Sequence, residues 1–420
     1  MARVWASGAE LNSISGSEDF YSATGSGLTI SSTTVRSGNY AYRTLKSSAG
    51  TIYFSAYLTN LSELYIRFYL RIATAPANNE VIIMQGSQNG TPVNFEIKLN
   101  SDRTLELWNV SAQIGSDSSS LDLDTWYRIE VKAKHIGVGT GTLELLLDGN
   151  VVATSSAETL ASTMSLFQFG ILTSTTADLF WDDIAINNAT GSFQNTYPGA
   201  GSLIYLKPDS AGDVNAWETQ VGGTADTANN YTRVQEENPD GATTYNGSNT
   251  LNNEDLYNLE ATPVAIASGD TINCVMIGLH WAGAGTSANA SLKLEIESSA
   301  SGTIEQSTQI TRTATGYATN AIANGGVVNY RLILYDLPGA STTAWTKADI
   351  DTAQIGMKLT ATSTNEIRVS TIWLIVDYTP TAGGSTGPAN LKSLNTNIKS
   401  NIKSINTNLI ANCKSLNTNT

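Results

Sequence analysis

Charged side chains are scarce in this chain. Only 14% of its 420 residues are Asp, Glu, Lys or Arg, against roughly 25% in an ordinary soluble protein. Ser, Thr, Asn and Gly must therefore supply most of the water-facing surface. Acids outnumber bases, 37 to 23, for a net charge of −14. That balance gives no general attraction to nucleic acid or to an anionic membrane. No apolar run approaches the roughly 18–20 residues of a spanning helix, and the opening Met1–Gly8 lacks the apolar stretch of a signal peptide. Two cysteines, Cys274 and Cys413, are too few for a disulfide framework. Two histidines, His135 and His280, exclude a His-rich metal centre. H-E-x-x-H, C-x-x-C, the P-loop and a G-x-S-x-G elbow are all missing.

What is present is period-2 alternation. In Leu64–Ile72 the residues Leu64, Ile66, Phe68, Leu70 and Ile72 share one face, and Tyr65, Arg67, Tyr69 and Arg71 the other. Val93–Leu99 and Trp126–Ala133 alternate in the same way. Thr142–Leu147, Asp148-Gly149 and Val151–Thr154 read as a hairpin, because Asp-Gly accepts the positive φ angles of a tight turn. Leu166–Ile171 and Leu179–Ile186 close the series. Many short strands without long helical patterns predict a sandwich or jelly roll over residues 1–190. Residues 191–202, with Tyr197-Pro-Gly-Ala-Gly-Ser202, form a joint. A second β-sandwich is expected over 203–380, with strands at Ser202–Lys207, Ile272–Trp281, Ser291–Glu297, Val327–Tyr335 and Ile367–Tyr378. One short helix is predicted from Thr346 to about Gln354, with Thr346 and Asp349 at the spacing of a capping box. The fold class is thus all-β, two sandwich domains followed by a repeat tail.

Residues 381–389 are a Gly/Ser/Thr linker by composition, and 390–420 repeat with period 11. Apolar residues Leu391, Leu394, Ile398, Ile402, Ile405, Leu409, Cys413 and Leu416 recur at spacings of three and four. As a helix this is 3.67 residues per turn, a straight or slightly right-handed bundle whose stripe demands a partner. Self-association in a small symmetric oligomer follows. Asn, Thr and Ser are mediocre helix formers, so the alternative is a segment ordered only against a partner. The tail carries Lys392, Lys399, Lys403 and Lys414 and no acid, which leaves 19 bases against 37 acids, or −18, over residues 1–380.

Catalytic chemistry finds little purchase. His135 and His280 have no motif around them, and Glu295 and Glu297 share one strand face that solvation accounts for. Asp182 and Asp183 are candidate oxygen ligands; adjacent strand residues point to opposite faces, so one of them at most would line a Ca²⁺ site with backbone carbonyls, and the alternative is one solvated Asp with the other hydrogen-bonded to the backbone. Trp108, Trp126 and Trp181 could stack on sugar rings, with core burial expected for at least two of them.

Four stretches, Gly38-Asn-Tyr-Ala-Tyr42, Asp124-Thr-Trp-Tyr-Arg-Ile-Glu-Val131, Leu145-Leu-Leu-Asp-Gly149 and Phe180-Trp-Asp-Asp-Ile-Ala-Ile186, resemble the concanavalin A-like lectin/glucanase superfamily in its LamG-like jelly-roll form. The E-x-D-x-x-E catalytic strand of the related glucanases is not found, so the resemblance implies the fold and not the activity. Residues 210–380 resemble a β domain of tailed-bacteriophage structural proteins through Ala216-Trp217, Tyr231–Asp240, Thr244-Tyr245, Asp255–Tyr257, Ala344–Thr346 and Val376–Tyr378. The Lys-Ser-x-Asn repeat is similar to tails at the ends of such proteins. The resemblance implies a non-enzymatic virion component, a head decoration, head fibre or tail-associated protein, joined to other virion proteins and to itself through the tail. Its alternative is a carbohydrate-binding adhesion protein that grips host-surface glycans with the lectin-like domain. Neither a nucleic acid nor a membrane partner is implied.

Overall fold

The computed structural model describes residues 3–381 apart from 15–18, 78–79, 110, 192, 224–226, 264, 284–289, 299–302, 313–315, 318–329, 335–343 and 362–365. The chain is all-β, as its alternation predicts, and every strand pairing among the described residues is antiparallel. Strands from Arg3–Ser7 to Met164–Asn188 pair only among themselves. Two of them, Ala41–Leu61 and Met164–Asn188, are long enough to serve two sheets. They run side by side in two stretches separated by register breaks, Ile52–Leu61 beside Met164–Ile171 and Tyr42–Lys46 beside Ala177–Trp181.

The first stretch carries a front sheet, which continues through Glu80–Ser87, Val93–Asn100, Leu105–Trp108 and Gln113–Ile114, with Ser22–Thr24 at its other edge. The second stretch carries a back sheet of Glu63–Thr74, Trp126–Lys134, Gly141–Leu147 and Asn150–Glu158, flanked by Arg3–Ser7 and Leu28–Ser31. One apolar core fills the space between, and its centre is the rings of Phe54, Phe68, Phe169 and Trp181, with centroids 5.5–6.3 Å apart. The expected hairpin is present: Leu147 pairs with Asn150, and Asp148 and Gly149 take φ of 50° and 86°.

Beyond Ser202 the strands form two further sheets. An inner one centres on Ile367–Thr379 and Thr271–Gly283, with Ser202–Leu206 and Tyr245–Ser248 beside the former. An outer one centres on Gln354–Ala361 between Glu254–Leu259 and Ala290–Ser298. Tyr257, Ile277, Leu294, Ile355, Leu374 and Val376 belong to the core between them. Of the predicted strand Val327–Tyr335, Tyr330–Leu334 lies within the described residues and is extended. The predicted helix is Lys347–Asp351, with both arms of the Thr346–Asp349 capping box made. It stops short of Gln354, because that residue begins a strand.

A third apolar cluster joins Ala6, Leu11 and Ala185 of the first sandwich to Leu203, Tyr205, Cys274, Met276, Trp373 and Ile375 of the second. Alternate residues of Ile367–Thr379 therefore serve two cores, Leu374 and Val376 on one side and Trp373 and Ile375 on the other. That is the reason for the unbroken apolar run Ile372–Val376. The result is four stacked sheets, in the order front, back, inner, outer.

Candidate functional site

The back and inner sheets meet through a buried polar network. Asp377, fully buried on the inner sheet, accepts from Arg3 at 2.6 Å, Arg67 at 3.2 Å and Asn273 at 3.1 Å. Burial by itself would raise this carboxyl, but Arg67 and Arg3 beside it hold it below its ordinary value. Arg67 also donates to the Asp183 carbonyl at 3.0 Å and the Gly199 carbonyl at 3.3 Å. A Cβ on Gly201 would collide with the Arg67 guanidinium and the Asp377 carboxylate, so the joint needs glycine there. The joint is itself pinned to the back sheet: Tyr197 donates to Glu144 at 2.6 Å, and the Gly199 N–H to Glu130 at 2.8 Å.

Asp182 and Asp183 lie in this network, and the expectation that they face apart is corrected. Pairing with Glu63–Thr74 shifts register between Asp182 and Ala185, and Asp183 takes φ of 49°. This bulge turns both carboxylates to the Arg36–Ser37 segment. Asp182 accepts the N–H of Arg36 at 2.8 Å, while Asp183 pairs with the Arg36 guanidinium and accepts Ser37 Oγ at 2.6 Å and the Leu203 N–H at 2.5 Å. Arg36 lies 3.3 Å over the Tyr69 ring. A Ca²⁺ ion would have to displace Arg36 to reach Asp183. Among the described residues no three His, Cys, Asp or Glu side chains come together as a metal site.

Two more acids line the joint. Burial pushes Glu10 up to about 8 despite the N–H groups of Asn39 and Tyr40 on it, and nearby Asp183 and Asp19 push the same way. Burial, then Asp183 and Glu10, raise Asp182 well above the carboxylate range. Asp19 accepts from Ser7 at 2.5 Å, Tyr42 at 2.9 Å and, across the joint, Tyr205 at 2.7 Å.

The front sheet presents a different surface. A polar row crosses it in which each residue pairs with the next across the strands: Ser55 and Gln168, which are buried, then Gln85, Glu96, Trp108 and Gln113, which are half-buried. Ser22 extends the row at one edge, its hydroxyl 2.7 Å from that of Ser55. Gln85 donates to Gln168, and Gln113 donates to Asp117 at 2.6 Å. Trp108 is half-buried and held on two sides, with its indole N–H on Glu106 at 2.5 Å and the Lys98 ammonium 3.6 Å from its ring centre. Burial raises Glu96, with Lys98 opposing and Glu80 assisting. Amide and carboxylate groups can hydrogen-bond a polyhydroxylated ligand, and an aromatic ring beside them can pack on its apolar face.

The remaining candidates are dispersed. Trp181 is in the core and donates to Thr44 at 3.0 Å, whereas Trp108 and Trp126 are only half-buried, so one tryptophan is fully buried and not two. Their positions near the sheet edge and on a strand's first residue explain this. Glu295 is also corrected. It is fully buried, not solvated, and burial and then Glu254 push it up to about 7, with Gln306 opposing. Glu297 is half-buried. His135 contacts the Leu160 carbonyl at 2.9 Å, and His280 the Ser370 hydroxyl at 2.7 Å. Cys274 is a free thiol that burial pushes up to about 11. Leu391, Leu394, Ile398, Ile402, Ile405, Leu409, Cys413 and Leu416 lie outside the described residues. Of the row, the sequence points to Trp108 as a ring for sugar stacking; the other members belong to five further strands whose register no local pattern sets. The available signal was Glu96 and Trp108 on the polar faces of their alternating strands.

No family model matches the chain, and no curated protein matches it. Among solved structures, an endo-β-1,4-glucuronan lyase from the fungus Trichoderma reesei is similar at 13% identity over 44% of this chain and 95% of that one, with a TM-score of 0.32. The alginate lyase Aly36B is similar at 12% identity over 45% and 98%, TM-score 0.36. A carbohydrate esterase from the Shiga toxin-encoding bacteriophage phi24B is similar at 13% identity over 44% and 99%, TM-score 0.33. These likenesses are remote, and the fold is read from the sheets themselves.

Proposed function

We propose that the chain is a non-enzymatic structural protein of a bacteriophage virion that binds glycans along the front sheet. The half-buried part of the row, Gln85, Glu96, Trp108 and Gln113, carries the glycan part of this reading. It sets hydrogen-bonding side chains beside an aromatic ring that Lys98 and Glu106 hold in place. The virion part is supported by the resemblance of residues 210–380 and of the repeat tail to tailed-phage structural proteins. The acids that could serve hydrolysis have structural partners instead: Asp183 holds Arg36, and Glu295 receives Gln306 at 2.5 Å.

Two experiments test the two parts. On a glycan array, the full chain should bind a defined subset of glycans, and Trp108→Ala should lower that binding at least tenfold, about 1.4 kcal/mol. Signals that survive the substitution would remove the row from the reading. Deleting 390–420 should leave a folded protein that no longer oligomerises or joins particles, read by light scattering and by particle incorporation. Normal assembly of the truncated chain would show that the tail is not the anchor.

A further inference from the structure

We infer that the glycan taken by the front sheet is uncharged, and that uronate-containing and sialylated glycans are turned away. This rests on the glycan-binding reading above and adds the ligand's charge class. Trp108 stands between acids. Glu96 pairs directly across from it in the row, and Glu106 lies two residues before it on the same strand and face. Glu80 lies farther out on the same sheet, bound to Lys98, and Asp117 lies in the segment after Gln113–Ile114, bound to Gln113.

The one base among these side chains is Lys98, and its ammonium is already engaged, 2.9 Å from Glu80 and 3.6 Å from the Trp108 ring centre. The next base along this hairpin, Arg103, sits in the turn beyond the Asn100–Thr104 end. That end is four residues from the Glu96–Trp108 pair, roughly 13 Å along the strand. Among the described residues of this hairpin, no free cation is therefore on hand to meet a ligand carboxylate at the row.

The two classes of ligand fare oppositely here. One or two hydroxyls of a neutral sugar can donate to Glu96, a charge-assisted hydrogen bond, while the sugar's C–H face packs on the indole. A polyuronate brings one carboxylate per sugar, and on this surface each would approach Glu96 or Glu106, whose one neighbouring base, Lys98, is already bound to Glu80. Glu106 cannot turn away easily, because it accepts both the indole N–H at 2.5 Å and Asn100 at 2.7 Å. Like charges at such separations repel strongly wherever water is partly excluded.

The test uses the full chain on an array bearing neutral, sialylated and uronate-containing glycans, with Trp108→Ala and Glu96→Gln alongside. The expected result is that Trp108-dependent signals fall on neutral glycans and that anionic ones give at least tenfold less. Raising the salt from about 50 mM to about 500 mM should narrow that gap by screening the repulsion, a reading that requires no variant. Glu96→Gln, with its fold checked by thermal unfolding, should raise binding of anionic glycans severalfold. Trp108-dependent binding of uronate or sialylated glycans equal to that of neutral ones would overturn the charge class and leave the glycan site standing. An array without any Trp108-dependent signal would instead overturn the glycan-binding reading, and this inference with it.

Discussion

Two strands of the first sandwich, Glu63–Thr74 and Val93–Asn100, alternate alike, yet their polar faces have opposite fates. On the first, Arg67 is fully buried against the second sandwich and paired with Asp377. On the second, Glu96 stays half-buried beside the half-buried Trp108. The chemistry of the neighbours separates the two cases. Where a second sheet arrives, the charges have fixed partners and glycine lets the backbones approach. Where none arrives, amides and an indole take the outward positions. Period-2 polarity thus marks a face that is not the strand's own core, and says nothing about whether water or another sheet lies beyond.

This contrast can be broken at the covered face first. Arg67→Ala leaves Asp377 with less than its full set of donors in a dry interior, and should cost about 3–5 kcal/mol, as loss of one partner of a buried ion pair does. Denaturant unfolding should then show two transitions in place of one. A single unshifted transition would mean that the joint does not couple the sandwiches.

The next largest effect is that of pH. The folded protein keeps a proton on Glu10 up to about pH 8, whereas the unfolded chain releases it near 4.5. Stability should therefore fall as pH rises between those values, at on the order of 1.4 kcal/mol per unit at most. Glu295, at about 7, and Asp255, at about 6, act in the same direction. Asp377, held low, acts oppositely: its contribution is complete above the usual carboxylate range and is lost as pH falls through its lowered folded value. Unfolding midpoints should be higher at about pH 5.5 than at about pH 8.5, and Glu10→Gln should flatten that difference. An equal midpoint at the two pH values would refute the assignment.

The smallest effect sharpens the contrast within one strand. Arg71 shares a face with Arg67, but its partner Asp124 at 2.7 Å is 64% exposed. Arg71→Ala should cost no more than about 1 kcal/mol, since solvent screens such a pair. A loss as large as that of Arg67→Ala would mean that burial does not set the scale.

Much of the fold was legible in the chain and much of the site was not. Alternation located the strands, Asp148-Gly149 located the hairpin, and the spacing of Thr346 and Asp349 located the helix cap. Local patterns could not reveal that Ile367–Thr379 packs on both sides, though its unbroken apolar run was the trace of it. The turn of Asp182 and Asp183 toward one segment depends on a bulge, which strict alternation cannot anticipate. The charge environment of Glu295 depends on Glu254, Gln306 and Lys358 arriving from three other strands. The row on the front sheet requires registers set by turns and bulges far apart in sequence.

The bond between Arg3 and Asp377 also has a bearing on how the molecule is made. Its two ends are separated by 374 positions in the chain. During synthesis, at roughly 5–20 residues per second, the first sandwich must wait on the order of ten seconds or more for the strand that covers its back sheet. Through that interval Arg3, Arg67 and the apolar patch of Ala6 and Ala185 face water or a chaperone. Long-range pairings of this kind form late and fold slowly, so the nascent chain is most open to misassembly just before the strand Ile367–Thr379 emerges.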